Sequence, residues 1–155
     1  MNKFSRIVIS LFGLGFIPIA PGTIASLFSV IFFYLISAYL SSVTMIFIFL
    51  FIFLISIKLI NLYSYNKNNH DSPEIVIDEF LGIFFIIIFY EYLKFTNDKL
   101  MFFLIFIIFR FFDIFKVFPA NWVDKKIKNS FGVILDDIIA GIYSVLVLFI
   151  LNVFL

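Results

Sequence analysis

Apolar segments long enough to cross a membrane fill most of this chain of 155 residues. One helical span takes about 20 residues, so the chain can hold about four or five of them. The composition agrees, because 64% of the residues are hydrophobic and only 14% are charged, unlike a soluble domain. The apolar stretches cover residues 24–40, 43–60, 75–93, 100–115 and 133–155. We therefore predict an all-α fold, a small polytopic membrane helix bundle that forms a single domain over residues 1–155.

A further apolar run, residues 7–16, lies near the N-terminus. Lys3 and Arg6 precede it, as basic residues precede the apolar part of a secretory signal. Pro18 interrupts the run soon afterwards and more spans follow, so we interpret the run as a short first helix or a re-entrant segment.

The turn after this run contains Pro21, Gly22, Thr23 and Ser26. Backbone amides at the start of a helix, together with two hydroxyl groups, can bind an anion. A Pro-Gly turn capped by Thr23 explains the same residues without a ligand. The turn alone does not decide between these two interpretations.

The distribution of basic residues predicts the orientation in the membrane. If the N-terminus is placed inside, nine Lys and Arg residues lie on the inner side and two on the outer side, as the positive-inside rule requires. The inner residues are Lys3, Arg6, Lys58, Lys67, Arg110, Lys116, Lys125, Lys126 and Lys128, and the outer residues are Lys94 and Lys99. Trp122 then lies where an interfacial anchor is expected, at the cytoplasmic headgroups.

Five carboxylates lie inside or at the edge of the apolar segments. An uncompensated Asp near the centre of a bilayer costs about 2.5 to 3.5 kcal/mol even on lenient insertion scales, so we expect a cation beside them. In the predicted topology all five lie toward the cytoplasmic face, and such an oxygen-rich cluster is what Mg²⁺ selects. They are Asp78, Glu79, Asp113, Asp136 and Asp137.

Arg110, Asp113 and Lys116 follow one another at intervals of three residues. On a helix this spacing places them on one face, within a sector of about 120 degrees. Asp113 can then bind a metal ion while the two basic side chains receive a phosphate group, which the planar fork of Arg fits well. The alternative is a simple Arg110–Asp113 ion pair, with Lys116 extending to the headgroups.

Asp136 and Asp137 are adjacent, so on a helix their side chains point about 100 degrees apart. One can face the bundle interior while the other turns to a neighbouring helix. The alternative is that both stabilise the N-terminus of a helix through its dipole. Ala140 and Gly141 follow one turn later and permit another helix to approach closely.

Several phosphatase mechanisms are excluded by what the sequence lacks. His70 is the only histidine and the chain has no Cys, so it supplies neither a histidine pair nor a cysteine nucleophile. Neither the Asp motif of haloacid-dehalogenase-like enzymes nor that of the CDP-alcohol phosphotransferases is present.

Four groups of residues form a pattern that extends over nearly the whole chain: Pro21-Gly22-Thr23 with Ser26, His70-Asp71 with 75–79 and Gly82, 109–116, and 132–137 with Ala140-Gly141. Together, and in this order, they resemble the phosphatidylglycerophosphatase A family. One departure is Val117, where the family usually has Pro, and we expect the helix to run straighter there.

The resemblance implies Mg²⁺-dependent hydrolysis of the terminal phosphomonoester of phosphatidylglycerophosphate at the cytoplasmic face of the bacterial inner membrane. Its substrate would be a phospholipid, and no nucleic acid partner is expected. The five carboxylates would share metal binding and water activation, while Arg110 and Lys116 would hold the phosphate with help from Thr23 and Ser26. Two other classes stay open: a small transporter or ion channel that uses the intramembrane acids, and a structural subunit whose acids meet a partner's basic helix.

Overall fold

The computed structural model describes residues 3–67, 72–93 and 98–154. These residues form eight α-helices and two short 3₁₀ turns, and none of them forms a strand, which confirms the predicted all-α fold. The helices are α1 (Lys3–Ile9), α2 (Pro21–Ile36), α3 (Ser42–Lys67), α4 (Ile77–Ile88), α5 (Tyr90–Leu93), α6 (Asp98–Phe115), α7 (Ala120–Lys126) and α8 (Ser130–Phe154), and the 3₁₀ turns are Leu14–Phe16 and Ser37–Tyr39.

Three of the described helical segments are long and apolar enough to cross a membrane: Pro21–Tyr39, Ser42–Ser64 and Ser130–Val153. Helix α4 has 12 residues, and α6 has 18 residues that include four charged ones. A total of four spans requires one of these two helices as well and a total of five requires both, so the predicted number stays a prediction.

The N-terminal segment forms the predicted short helix, α1, of seven residues. The side chain of Ile9 at its end is fully buried, and the Ile9 carbonyl accepts a hydrogen bond of 3.0 Å from the backbone N–H of Val76. This contact ties the N-terminal segment to the residues just before α4. His70 and Asp71, which belong to the family resemblance, lie outside the described residues.

Helix α4 lies at the centre of the bundle and packs against α2, α3, α6 and α8. The ring of Phe84 lies between Phe33 of α2, at a centroid distance of 4.6 Å, and Phe49 of α3, at 5.6 Å. Aromatic pairs at such distances add to the stabilisation from burial alone. The central position of α4 fixes where its first-turn acids lie.

Small residues allow α4 and α8 to approach closely. A Cβ atom at Gly141 would lie 3.0 Å from the carbonyl oxygen of Gly82. A Cβ at Gly82 would lie 3.0 Å from the carbonyl oxygen of Asp137 on α8 and 2.5 Å from the ring of Phe109 on α6. Neither position has room for a side chain, so the close approach predicted at Ala140-Gly141 is confirmed.

Two local features direct the chain around the site. Helix α8 is capped by Asn129, whose Oδ1 accepts a hydrogen bond of 2.9 Å from the N–H of Gly132, as N-cap residues do. Helix α6 ends at Phe115, and Lys116 has a left-handed backbone with φ of 43°. The straighter helix that we expected at Val117 is therefore wrong, because the chain turns before it and forms α7 instead.

Candidate functional site

Charged side chains line an open cavity of about 580 Å³ at one end of the bundle. The starts of α2 and α4, the end of α6, α7 and the first turns of α8 form its walls. All five predicted carboxylates, Arg110, Lys116 and Thr23 line it, so sequence-distant residues meet there. Its carboxylates are Asp78, Glu79, Asp113, Asp124, Asp136 and Asp137, and its basic residues are Arg110, Lys116, Lys125 and Lys128.

Three of the carboxylates form what we call the acid cluster: Asp78, Glu79 and Asp137. One oxygen from each lies within 4.8 Å of the others, and the backbone N–H of Glu79 donates to Asp78 Oδ1 at 3.1 Å. Oε2 of Glu79 is buried and has no hydrogen-bond partner. Within the described residues no basic side chain forms an ion pair with this cluster. Buried carboxylates without a counter-charge are unfavourable, so the cluster is suited to a cation.

Arg110 is held by two neighbours. Its Nη1 donates to Asp113 Oδ2, one helical turn later, and lies 3.5 Å from Ser26 Oγ. The Arg110–Asp113 pair that we considered as an alternative therefore forms. These bonds of Arg110 use only Nη1, and its buried Nε has no hydrogen-bond partner, so the guanidinium group keeps N–H donors that no described side chain accepts.

Ser26 lies behind the cavity wall rather than on it. Its side chain is fully buried, and its hydroxyl donates to the carbonyl oxygen of Gly22 at 2.8 Å. Among the predicted substrate-binding residues, Thr23 lines the cavity and Ser26 does not. The position of Ser26 suits support of Arg110 more than contact with a substrate.

Lys116 joins α7 to α8. Its Nζ donates to Asp124 Oδ1 at 2.7 Å and to Asp136 Oδ2 at 2.5 Å, so it does not extend to the headgroups as the alternative had it. Burial opposes its charge, but the hydrogen bonds to Asp124 and Asp136 outweigh burial and raise the pKa of Lys116 above its usual value. Lys116 therefore stays protonated at neutral pH.

Asp136 and Asp137 face different partners, as their helical spacing predicted. Asp137 joins the acid cluster, whereas Asp136 binds Lys116 and keeps a buried Oδ1 without a partner. Helix α8 begins at Ser130, so both acids lie beyond its first turn. The alternative explanation by the helix dipole is therefore wrong, because that effect fades within the first turn.

Glycine 22 permits the contact between α2 and α4. A Cβ atom there would overlap Oε1 of Glu79 and would lie 3.4 Å from Nη1 of Arg110. The start of α2 thus comes close to both an acid of the cluster and the guanidinium group. A residue with a side chain fits at this position only if the Glu79 carboxylate moves aside.

Sequence reasoning missed three residues of the cavity: Asp124, Lys125 and Lys128. The two lysines were assigned only to the inner membrane surface, and Asp124 was not considered. The sequence feature that could have indicated them is Asp124, a single acid that lies two residues after Trp122 and directly before the basic cluster.

Comparison with known proteins identifies relatives over most of the chain. The model of the family described as "Phosphatidylglycerophosphatase A" matches residues 7–152. Proteins named "Phosphatidylglycerophosphatase A" from Haemophilus influenzae and Escherichia coli are 33% and 32% identical to the chain, over 89% of its length in both cases and over 82% and 77% of theirs. A Bacteroides thetaiotaomicron protein provisionally named phosphatidylinositol-3-phosphatase is 29% identical over 86% of this chain and 84% of its own. No solved structure matches the chain.

Proposed function

Because the chain belongs to the phosphatidylglycerophosphatase A family, we propose that it hydrolyses the terminal phosphomonoester of phosphatidylglycerophosphate and so produces phosphatidylglycerol. The observation that carries this proposal is the meeting of the acid cluster with Arg110 and Lys116 in one cavity. Acids for a hard cation and bases for a phosphate are the two requirements of metal-assisted phosphoryl transfer.

The acid cluster fits Mg²⁺. Its three carboxylates supply only oxygen ligands, which this ion prefers, and the buried Oε2 of Glu79 has no partner among the protein groups. The cavity is lined by six carboxylates and four basic side chains, so it has an excess of negative charge that would repel a phosphate. A divalent ion on Asp78, Glu79 and Asp137 would offset that excess and, when bound, neutralise charge on the phosphoryl oxygens.

The other side chains of the cavity would bind the phosphate and accept a proton. Arg110, fixed by Asp113 and Ser26, would donate its remaining N–H groups to a phosphate oxygen, and Thr23 would add a hydroxyl contact from the start of α2. Asp136 is oriented by Lys116 through one oxygen, and its other oxygen is unpartnered. That second oxygen would accept the proton of the attacking water, as a general base does.

We place this site at the cytoplasmic face of the bacterial inner membrane. The supporting observations are the bacterial relatives, the apolar helices and the excess of basic residues on the segments next to the cavity. The transporter or ion channel that we considered gains no support from the relatives, and we do not propose it.

The test is phosphate release by the purified protein from phosphatidylglycerophosphate in detergent micelles. We expect release with Mg²⁺, none with EDTA, and recovery when Mg²⁺ is added in excess of EDTA. Asp136→Asn should remain folded and lose at least about 100-fold in kcat, the usual range for removing a general base. Asp113→Asn should also remain folded and lose phosphate release, because it removes the charge that fixes Arg110. Asp98→Asn is the matched control, because Asp98 is exposed at the start of α6 and does not line the cavity.

Two outcomes would contradict the proposal. Near-normal release from both cavity variants would remove the roles assigned to these acids, and undiminished activity in EDTA would remove the metal. Phosphatidylinositol 3-phosphate is the comparison substrate, because one relative carries the name of a phosphatase for it. Faster release from that lipid would change the assigned substrate.

A further inference from the structure

Two lysines of the cavity have no assigned task. Lys125, in the last turn of α7, and Lys128, just after it, both line the cavity and are exposed. Neither forms an ion pair or a side-chain hydrogen bond with any described residue. The other two bases of the cavity, Arg110 and Lys116, are held by carboxylates. Two positive charges of the cavity are therefore not neutralised by the protein.

Two ion pairs of Lys116 connect the segments of the cavity wall that carry these lysines and the acid cluster. Asp137 belongs to the cluster, and its neighbour Asp136 binds Lys116. Lys116 also binds Asp124, which directly precedes Lys125. Along the cavity wall, the acid cluster is therefore followed by the ion pairs of Lys116 and then by two lysines that form no ion pair with a described residue. A ligand that spans this wall would meet two sites of opposite charge.

The substrate proposed above has two phosphate groups. The terminal phosphomonoester is the one that is hydrolysed, and a phosphodiester joins the two glycerol units. We propose that Lys125 and Lys128 bind this phosphodiester, so that the cavity selects lipids that carry a second phosphate next to the one removed. This inference rests on the proposed function, because Arg110 and the ion proposed at the acid cluster must hold the terminal phosphate for the lysines to meet the other.

The chemistry of the two groups fits this division. A phosphodiester has one negative charge and requires no planar recognition, so the flexible, strongly hydrated ammonium of Lys suits it, whereas Arg110 faces the reacting group. The cavity volume of about 580 Å³ is within the range of about 300–1,000 Å³ found for small-molecule sites. The cavity therefore has the volume to hold a glycerophosphate headgroup.

The experiment compares the double variant Lys125→Gln/Lys128→Gln with Lys126→Gln. Lys126 lies between the two lysines in sequence and is also exposed, but it does not line the cavity, so it controls for surface charge. With phosphatidylglycerophosphate in neutral detergent micelles we expect KM to rise about tenfold or more in the double variant, with kcat within about twofold of the wild type. Lys126→Gln should match the wild type.

Inorganic phosphate, added as a competitor, separates the two subsites because it has no diester. Its inhibition constant should be unchanged in the double variant if the lysines bind only the second phosphate. An unchanged KM, an equal rise in KM for Lys126→Gln, or an equal rise in the inhibition constant of phosphate would each overturn the inference and leave the proposed function intact. A wild-type protein without any phosphate release would instead contradict the proposed function itself.

Discussion

The charged side chains of the cavity differ in whether they form an ion pair. Asp113 and Asp136 are paired with Arg110 and Lys116, whereas the acid cluster has no basic partner among the described residues. Pairing with a basic residue fixes the orientation of Asp113 and Asp136, but it also lowers their capacity to bind a metal ion. The five carboxylates therefore divide into three that suit a metal ion and two that hold basic residues in place.

At the residue scale, Gly22→Ala should lower activity more than stability. The added methyl group overlaps Oε1 of Glu79, the end of a flexible side chain that can turn aside, so the fold should tolerate it. The displaced carboxylate would leave the acid cluster, and misplacement of a site group by about 1 Å can cost about 100-fold in rate. Phosphate release and thermal unfolding in detergent measure the two effects.

Gly132→Ala is the control for this prediction. There the new Cβ overlaps the carbonyl oxygen of Ile127, a backbone atom that cannot turn aside, so the unfolding temperature should fall. If Gly22→Ala lost as much stability as Gly132→Ala, or kept full activity, the assigned role of Gly22 would be wrong.

At the scale of elements, the sequence predicted the helices better than the connections between them. Apolar stretches locate α2, α3, α6 and α8 because burial in lipid demands long apolar runs. The same criterion says nothing about the direction of the chain after Phe115, where Lys116 takes a left-handed conformation. That turn brings α7 to the cavity, which is why Asp124, Lys125 and Lys128 were missed.

Most ion pairs between different helices could not be predicted from the sequence either. The carboxylates at 78, 79, 113, 136 and 137 stood out because acids are rare in apolar segments. Which of them would meet a basic residue depends on how α6, α7 and α8 cross, and local spacing predicted only the Arg110–Asp113 pair. The bond from Lys116 to Asp136 links residues 20 positions apart.

The next prediction concerns the close packing of α4 against α8. Gly141→Leu places a large side chain where even a Cβ would lie 3.0 Å from the Gly82 carbonyl oxygen, so it should separate the two helices. Overpacking typically costs about 1–3 kcal/mol, and the separation would also move Asp137 from Asp78 and Glu79. We expect both a lower unfolding temperature in detergent and a loss of phosphate release.

Val153→Leu is the matched control, since Val153 lies near the end of the same helix and is 80% exposed. It should change neither quantity. A Gly141→Leu protein with normal stability and activity would show that the close approach of α4 and α8 is not required.

At the scale of the whole molecule, every wall of the cavity comes from the same end of the bundle. The starts of α2, α4 and α8 meet the end of α6 there, with α7 across them. Exposed apolar side chains such as Phe47, Phe51 and Leu54 cover α3, as expected of a surface that faces lipid. The cavity thus opens at one end of the bundle, where we propose that a phospholipid headgroup binds.

The orientation of the whole molecule can be tested because the chain contains no Cys. Lys126→Cys and Lys99→Cys each introduce one thiol at an exposed position, the first on α7 beside the cavity and the second at the start of α6. Lys99 is about 21 Å along the helix axis from Asp113, toward the opposite end of the bundle. With a membrane-impermeant maleimide applied to intact spheroplasts, Lys99→Cys should be labelled at once and Lys126→Cys only after permeabilisation. The reverse pattern would place the cavity on the outer face and contradict the proposed orientation.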